Sequence, residues 1–319
     1  MKKITSLLFI IISLIMFSSC TQIQYANIVT TMFPQYDFAK QIAGDDYSVS
    51  LIIPPGAEIH DYEVTSQDMA KIRESRLFIF TSLEIDNWIG DVNTIGGEKT
   101  IVVNLSECYT REPLSYGEPI LTPLDDESEH ANELHYWTDP TTAVQLMNAI
   151  LEKIILLDPN KEGQLRERAS DYIAQIDELN TEIHDYITDH NFLGSTLYFA
   201  GHNALGSFGQ RYGLNILSLF EDFKPDVDLT SNELITFTNQ VKMTNTHYLF
   251  IEELAVPKAA NTIMNQLASD EYQLNLLEFH GYHNVTQSDF EEGVTYRDLL
   301  ERNFINIQIA LMSTTENND

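Results

Sequence analysis

The chain reads as an α/β protein of two lobes, each with a mostly parallel sheet flanked by helices, joined by one long helix. Three observations predict this. Short β-branched runs alternate with amphipathic stretches before residue 157, and the same alternation returns after residue 195. Between them, Glu162–Asp189 carries apolar residues at spacings of three and four, and from Gln164 no glycine or proline occurs until Gly194. A length of 319 residues suits about two domains with real cores.

Taken in order, the first segment stands outside the fold. Lys2 and Lys3 precede the apolar run Ile4–Phe17, and Ser18-Ser19-Cys20 follow. This is the order of a secretory signal, too short and wrongly flanked to span a membrane. Ending on a cysteine, residues 1–20 resemble a bacterial lipoprotein signal, with cleavage before Cys20 and lipid on its thiol. Phe17 departs from the aliphatic residue usual three positions earlier. Lipid there would tether the mature chain to the outer side of the cell membrane. Cys108 then has no intrachain partner and reads as a small buried apolar residue.

Ile28–Phe33 reads as the first strand and Pro34–Ala43 as a helix stopped by Gly44. Val49–Ile53 reads as a buried strand, which Pro54-Pro55-Gly56 must end. A helix follows over Ser66–Glu74, capped by Thr65 or Ser66. Leu77–Thr81 and Ile101–Leu105 are further strands. Periodicity is lost between Tyr109 and Glu133, where Asp125–His130 reads as a solvated acidic loop. Thr138 or Asp139 caps a helix over Thr141–Leu156, with Pro140 at its start.

After the long helix, strands are expected at Thr196–Ala200, Asn215–Leu219, Tyr248–Ile251 and Gln273–Leu277. Helices are expected at Ala204–Tyr212, Ser231–Lys242, Pro257–Leu267 and Tyr296–Leu311. The predicted division is 21–161 for the N-terminal lobe, 162–190 for the linking helix and 191–319 for the C-terminal lobe. A formal charge of -30, from 48 acidic and 18 basic residues, argues against nucleic acid and anionic membrane surfaces as partners.

Four of the nine histidines share one kind of setting, near strand ends or helix starts. His60 follows the strand ended by Pro54-Pro55-Gly56, where open α/β sheets place ligand groups. His135 sits between the acidic loop and a capped helix. His202 follows strand Thr196–Ala200, and His283 follows the last strand. Two come from each half, and four converging imidazoles would form a closed tetrahedral nitrogen site suited to zinc. His184, His190 and His247, on or beside helices and strands, read as structural.

Val29–Asp45, Ile53–Glu63, His135-Tyr-Trp-Thr-Asp-Pro140, Gly201-His202 with Tyr212-Gly-Leu214, and Ile251-Glu-Glu-Leu254 with Pro257-Lys-Ala-Ala260 carry a further signal. In that order they resemble the zinc/manganese ABC-transporter solute-binding proteins, over nearly the whole mature chain. The resemblance implies two α/β lobes, a rigid linking helix and one transition-metal ion at the lobe interface. It implies an ABC permease as partner and a monomeric binder, and its ligand positions fall on His60, His135, His202 and His283.

The last family ligand is commonly Asp or Glu, and His280 and Glu278 lie close enough to compete with His283. Extended backbone would put Glu278 and His280 on one pleat face, while Gly281 lets the chain turn His283 toward the cleft. A histidine at the third position resembles the zinc branch, so Zn2+ is expected ahead of Mn2+. Surface adhesion could coexist with transport. A zinc hydrolase would need an open coordination position and a poised base. No His-Glu-x-x-His helix is present, and Glu58 and Glu278 are the only nearby bases, so no enzyme is expected.

Overall fold

The structure, a computed structural model, describes residues 25–59, 62–110, 134–220 and 230–316. The signal segment with Cys20, His60 and the acidic loop at 125–130 lie outside the described residues. The first half contains β1 (Ile28–Thr30), α1 (Phe33–Ala43), β2 (Val49–Leu51), α2 (Ser66–Glu74), β3 (Leu77–Phe80), α3 (Val92–Ile95), β4 (Ile101–Asn104) and α4 (Pro140–Ile155). The long helix α5 covers Glu162–Asp189. The second half contains β5 (Thr196–His202), α6 (Gly206–Tyr212), β6 (Asn215–Phe220), α7 (Ser231–Met243), β7 (Tyr248–Ile251), α8 (Lys258–Ala268), β8 (Asn275–Glu278), α9 (Gln287–Glu292) and α10 (Tyr296–Glu316).

Each half builds a four-stranded sheet, in the orders β2-β1-β3-β4 and β6-β5-β7-β8. Among the described residues every strand pairing is parallel, as the strand–helix alternation predicts. Several strands differ from expectation: β1 ends at Thr30, since Met32 already caps α1 and Phe33 opens it, β2 stops at Leu51 and β8 spans Asn275–Glu278. β2 is half-buried rather than buried, because it lies at a sheet edge with one neighbour. β5 runs on through Gly201 to His202, with a register shift against β6 between Phe199 and His202. His202 therefore ends a strand instead of following one, and the irregularity re-aims the chain where its side chain is needed.

Helix starts follow the capping chemistry. Thr65 and Asp68 satisfy each other's amides, Asp68 N donating to Thr65 Oγ1 at 3.2 Å and Thr65 N to Asp68 Oδ2 at 3.1 Å. Asp139, not Thr138, caps α4 by accepting from Thr141 N at 2.9 Å. The short helices α3 and α9, unanticipated, are capped by Asp91 and Thr286. Cys108 is half-buried rather than buried, and burial pushes its thiol pKa up.

α5 buries Leu165, Ala169, Tyr172, Ile176, Leu179, Ile183 and Ile187 along one stripe. Burying each such aliphatic side chain contributes about 1.5–3 kcal/mol. The stripe joins a single core that includes Ile28, Leu77, Trp137, Phe199, Phe250 and Leu300, so apolar packing runs between the two sheets. Separate smaller clusters line the other faces, around Phe78 in the first half and Tyr198 in the second.

Polar ties reinforce the junction. Asp37 on α1 accepts from the Tyr172 hydroxyl on α5 at 2.6 Å and from the Tyr296 amide at the start of α10 at 2.9 Å. Burial raises its carboxyl to about 6, against those hydrogen bonds. Arg211 on α6 grips Asp139 with both arms, Nε to Oδ1 at 2.7 Å and a terminal nitrogen to Oδ2 at 2.6 Å.

Candidate metal centre

His135, His202 and His283 converge: one ligand nitrogen from each lies within 4.8 Å of the others, and all three side chains are buried. His202 Nε2 and His135 Nε2 are 3.2 Å apart. His135 precedes a 3-10 turn, Tyr136–Thr138, and its carbonyl accepts from Thr138 N and Oγ1 at 3.1 and 2.9 Å. His202 arrives on the irregular end of β5. His283 arrives on the loop after β8.

That last loop turns by a route the glycine does not supply. Tyr282, not Gly281, adopts the left-handed conformation, with φ of 64°. Such backbone is costly for a bulky residue and persists only where its surroundings impose it. Here the Tyr282 ring stacks on Tyr296 at 4.5 Å, its hydroxyl accepts from Asn303 Nδ2 at 2.9 Å, and its amide donates to His280 Nδ1 at 2.8 Å. Gly281 matters for space instead: a Cβ there would lie 2.5 Å from His283 Cε1.

The competing ligands are engaged differently: His280 Nδ1 lies 3.7 Å from Glu253 Oε1, beside the site but outside the group of three converging imidazoles. His280 is tied into the loop through Tyr282 N and through Asn303, which bonds both its amide and its carbonyl. Glu278 ends β8 with its side chain exposed. His184, His190 and His247 contact Asp185, the Tyr186 carbonyl and the Gln273 carbonyl respectively, away from the three converging rings.

Trp137 walls the site with apolar surface. Its ring meets His135 and His283 edge-on at 5.3 and 5.6 Å, and its Nε1 donates to the Gly281 carbonyl at 3.0 Å. Two acidic residues stand behind the imidazoles. Glu252 Oε1 is 2.7 Å from His202 Nδ1, and Glu253 Oε1 is 2.9 Å from His283 Nδ1. Burial opposes ionisation of Glu253, but His280, His283 and the Gly281 amide hold its carboxyl well below the usual range. Burial also opposes protonation of His283, yet its hydrogen bond to Glu253 and the charges of Glu253, Glu252 and Glu58 raise it above 6.5.

The sequence shows this pair only within the motif Ile251-Glu-Glu-Leu254, with no role at the site, and naming Glu58 and Glu278 as the only nearby bases overlooks it. The available signal is two consecutive glutamates directly after the apolar run Tyr248–Ile251, at the strand end where such sheets gather ligand groups.

Comparison with known proteins agrees with this architecture. Residues 28–310 match the family described as ZnuA, zinc-uptake complex component A, periplasmic. The chain is 26% identical over 297 residues to the high-affinity zinc uptake system protein ZnuA of Bacillus subtilis, taking in 90% of this chain and 88% of that protein. Against the zinc-binding lipoprotein AdcA of Streptococcus pneumoniae, identity is 26% over 331 aligned positions, with 99% of this chain matched to 62% of that longer protein. The fold is similar to that of the periplasmic zinc binding protein TroA from Treponema pallidum, with a TM-score of 0.72 and 20% identity over 90% of this chain and 99% of that one. The chain belongs to the ZnuA family of zinc-uptake complex components.

Proposed function

We propose that the chain captures Zn2+ outside the cytoplasm, between its two lobes, and hands it to an ABC permease for import. The observation that carries this reading is the convergence of three buried imidazoles from three separate segments. Nitrogen donors at such a site favour zinc over harder cations that prefer carboxylate oxygen. His60 is assigned as the fourth ligand. It follows the segment Pro54–Ile59, which is fastened to the residues after His283. Gly56 N donates to the Val285 carbonyl at 2.7 Å, and Asn284 Nδ2 donates to the Pro54 and Ala57 carbonyls at 2.8 and 2.9 Å. This reading treats residues 21–161 and 191–319 as the lobes, the protein as a monomer, and none of its residues as catalytic.

The test is zinc competition binding across pH. Zinc needs a neutral imidazole nitrogen, so binding must displace protons. Because His283 is raised above 6.5, affinity should fall steeply as pH drops from about 7.5 to about 5. Calorimetry in buffers of different ionisation enthalpy should record proton release near neutrality. An affinity flat over that range would refute an all-imidazole site.

The metal-free chain should show the opposite trend over part of this window. His283, raised above 6.5, contributes stability fully present below that value and lost as pH rises through the raised one. Glu253, lowered from its ordinary 4.5, contributes stability present above that value and lost as pH falls through the lowered one. Their pairing therefore helps the metal-free fold most between the two ordinary values, and thermal melts with and without zinc should diverge as pH rises.

Membrane attachment is assigned to lipid on Cys20. Among the described residues no helix is long and apolar enough to cross a membrane. Full-length protein should partition into the detergent phase and Cys20→Ser should not. Wild-type protein left in the aqueous phase would refute the anchor.

A further inference from the structure

Glu252 and Glu253 follow β7 directly, and β7 lies between β5 and β8 in the second sheet. One dipeptide just past the end of β7 reaches both neighbours: Glu252 meets His202 at the end of β5, and Glu253 meets His283 after β8. The Glu253 carboxylate also accepts from the amides of Gly281 at 2.8 Å and His283 at 3.3 Å, so it holds the backbone of that loop as well as the ring. Gly201 and Gly281 keep the space open, since a Cβ on either would come within 3.1 and 3.3 Å of a Glu252 or Glu253 oxygen.

We propose that Glu252 and Glu253 are positioning residues of the zinc site, fixing His202 and His283 with Nδ1 protonated so that Nε2 faces the cation. This inference rests on the zinc-binding reading above. An ionised carboxylate only accepts hydrogen bonds, so His283 Nδ1, which bonds Glu253, must carry the proton, and Glu252 stands 2.7 Å from His202 Nδ1 in the matching position. In a neutral imidazole the other nitrogen is then the free donor to metal. The pair does a second thing. Neutral imidazoles leave a bound dication uncompensated in a buried site, and an unbalanced buried charge is costly. Two carboxylates one ring away supply the balancing charge without entering the coordination sphere.

The alternative is that the glutamates themselves ligate, since Glu252, Glu253 and His283 also offer atoms within 4.8 Å of one another. A cation placed there would displace the two close Nδ1–carboxylate contacts that organise the site.

The experiment compares full-length wild type, Glu252→Gln and Glu253→Gln by zinc competition titration, zinc X-ray absorption and melting of the metal-free protein. Each amide keeps the shape but removes the charge. Outer partners of metal-bound histidines typically contribute ~10–100-fold in affinity, and each variant should lose that much while zinc keeps an all-nitrogen shell. A merely structural role would lower the metal-free melting temperature and leave affinity of the folded fraction unchanged, which would overturn the proposal. Loss of an oxygen ligand between wild type and variant would also overturn it, making the glutamate a ligand. Should Glu253→Gln fail to fold, Glu252→Gln carries the test on the other histidine. Failure of wild type to bind zinc would overturn the functional reading itself, whereas tight wild-type binding matched by both variants would remove only the positioning role.

Discussion

His202→Ala is expected to weaken zinc binding by at least ~100-fold, equivalent to about 2.8 kcal/mol. Removing a partner that only touches a metal-bound histidine already costs ~10–100-fold, and this change removes the imidazole itself. It also strips the Glu252 carboxylate of its 2.7 Å contact with His202 Nδ1. The metal-free fold should tolerate the change better than the site does, because alanine ends β5 without altering its strand pairing. A chromophoric chelator competed against wild type and variant measures the difference. A variant curve that overlays wild type would remove His202 from the site.

Arg211→Ala is expected to have the largest effect on stability of any single polar substitution described above, a loss of about 3 kcal/mol. Arg211 and Asp139 are each only 11% exposed and share two short hydrogen bonds. Breaking one side of such a pair leaves the other charge buried and uncompensated. Arg211→Lys should recover only part, because an ammonium cannot span both carboxylate oxygens. Urea denaturation of the three proteins checks the order. The same substitution should lower zinc affinity, since Asp139 follows His135 by one short turn and Arg211 lies on the helix after His202. Unchanged urea midpoints would mean the pair is energetically idle.

What could be read from the sequence is local or periodic. α5 is visible because one stripe from Leu165 to Ile187 repeats at helical spacing and nothing breaks it. His135 stands out because Asp139-Pro140 punctuates the chain after it, whereas His60, set off by Pro54 to Gly56, lies outside the described residues. The strain at Tyr282 is not visible, since a glycine one residue earlier invites the turn and only tertiary contacts with Tyr296, Asn303 and His280 move it. The half-buried character of β2 depends on its edge position, a property of the assembled sheet. Likewise Glu252 and Glu253 acquire meaning only when β7 is inserted between β5 and β8. Their histidine partners, one at a strand end and one in a loop, lie far apart in the chain, and no spacing rule joins them.

The unbroken packing between the two sheets has a consequence for how a cation leaves. A hinge that opened one sheet from the other would have to expose Trp137, Phe199 and the α5 stripe to water, at nearly the cost of global unfolding. Opening must instead come from small rearrangements of the more exposed segment before His60, residues 54–59, against the buried loop that carries His283. Amide hydrogen exchange should therefore split into two regimes. Amides in the middle of α5 should exchange only through complete unfolding, at rates indifferent to small fluctuations. Amides of residues 54–59 should exchange by local opening, and zinc should slow them by the ratio in which it shifts that equilibrium.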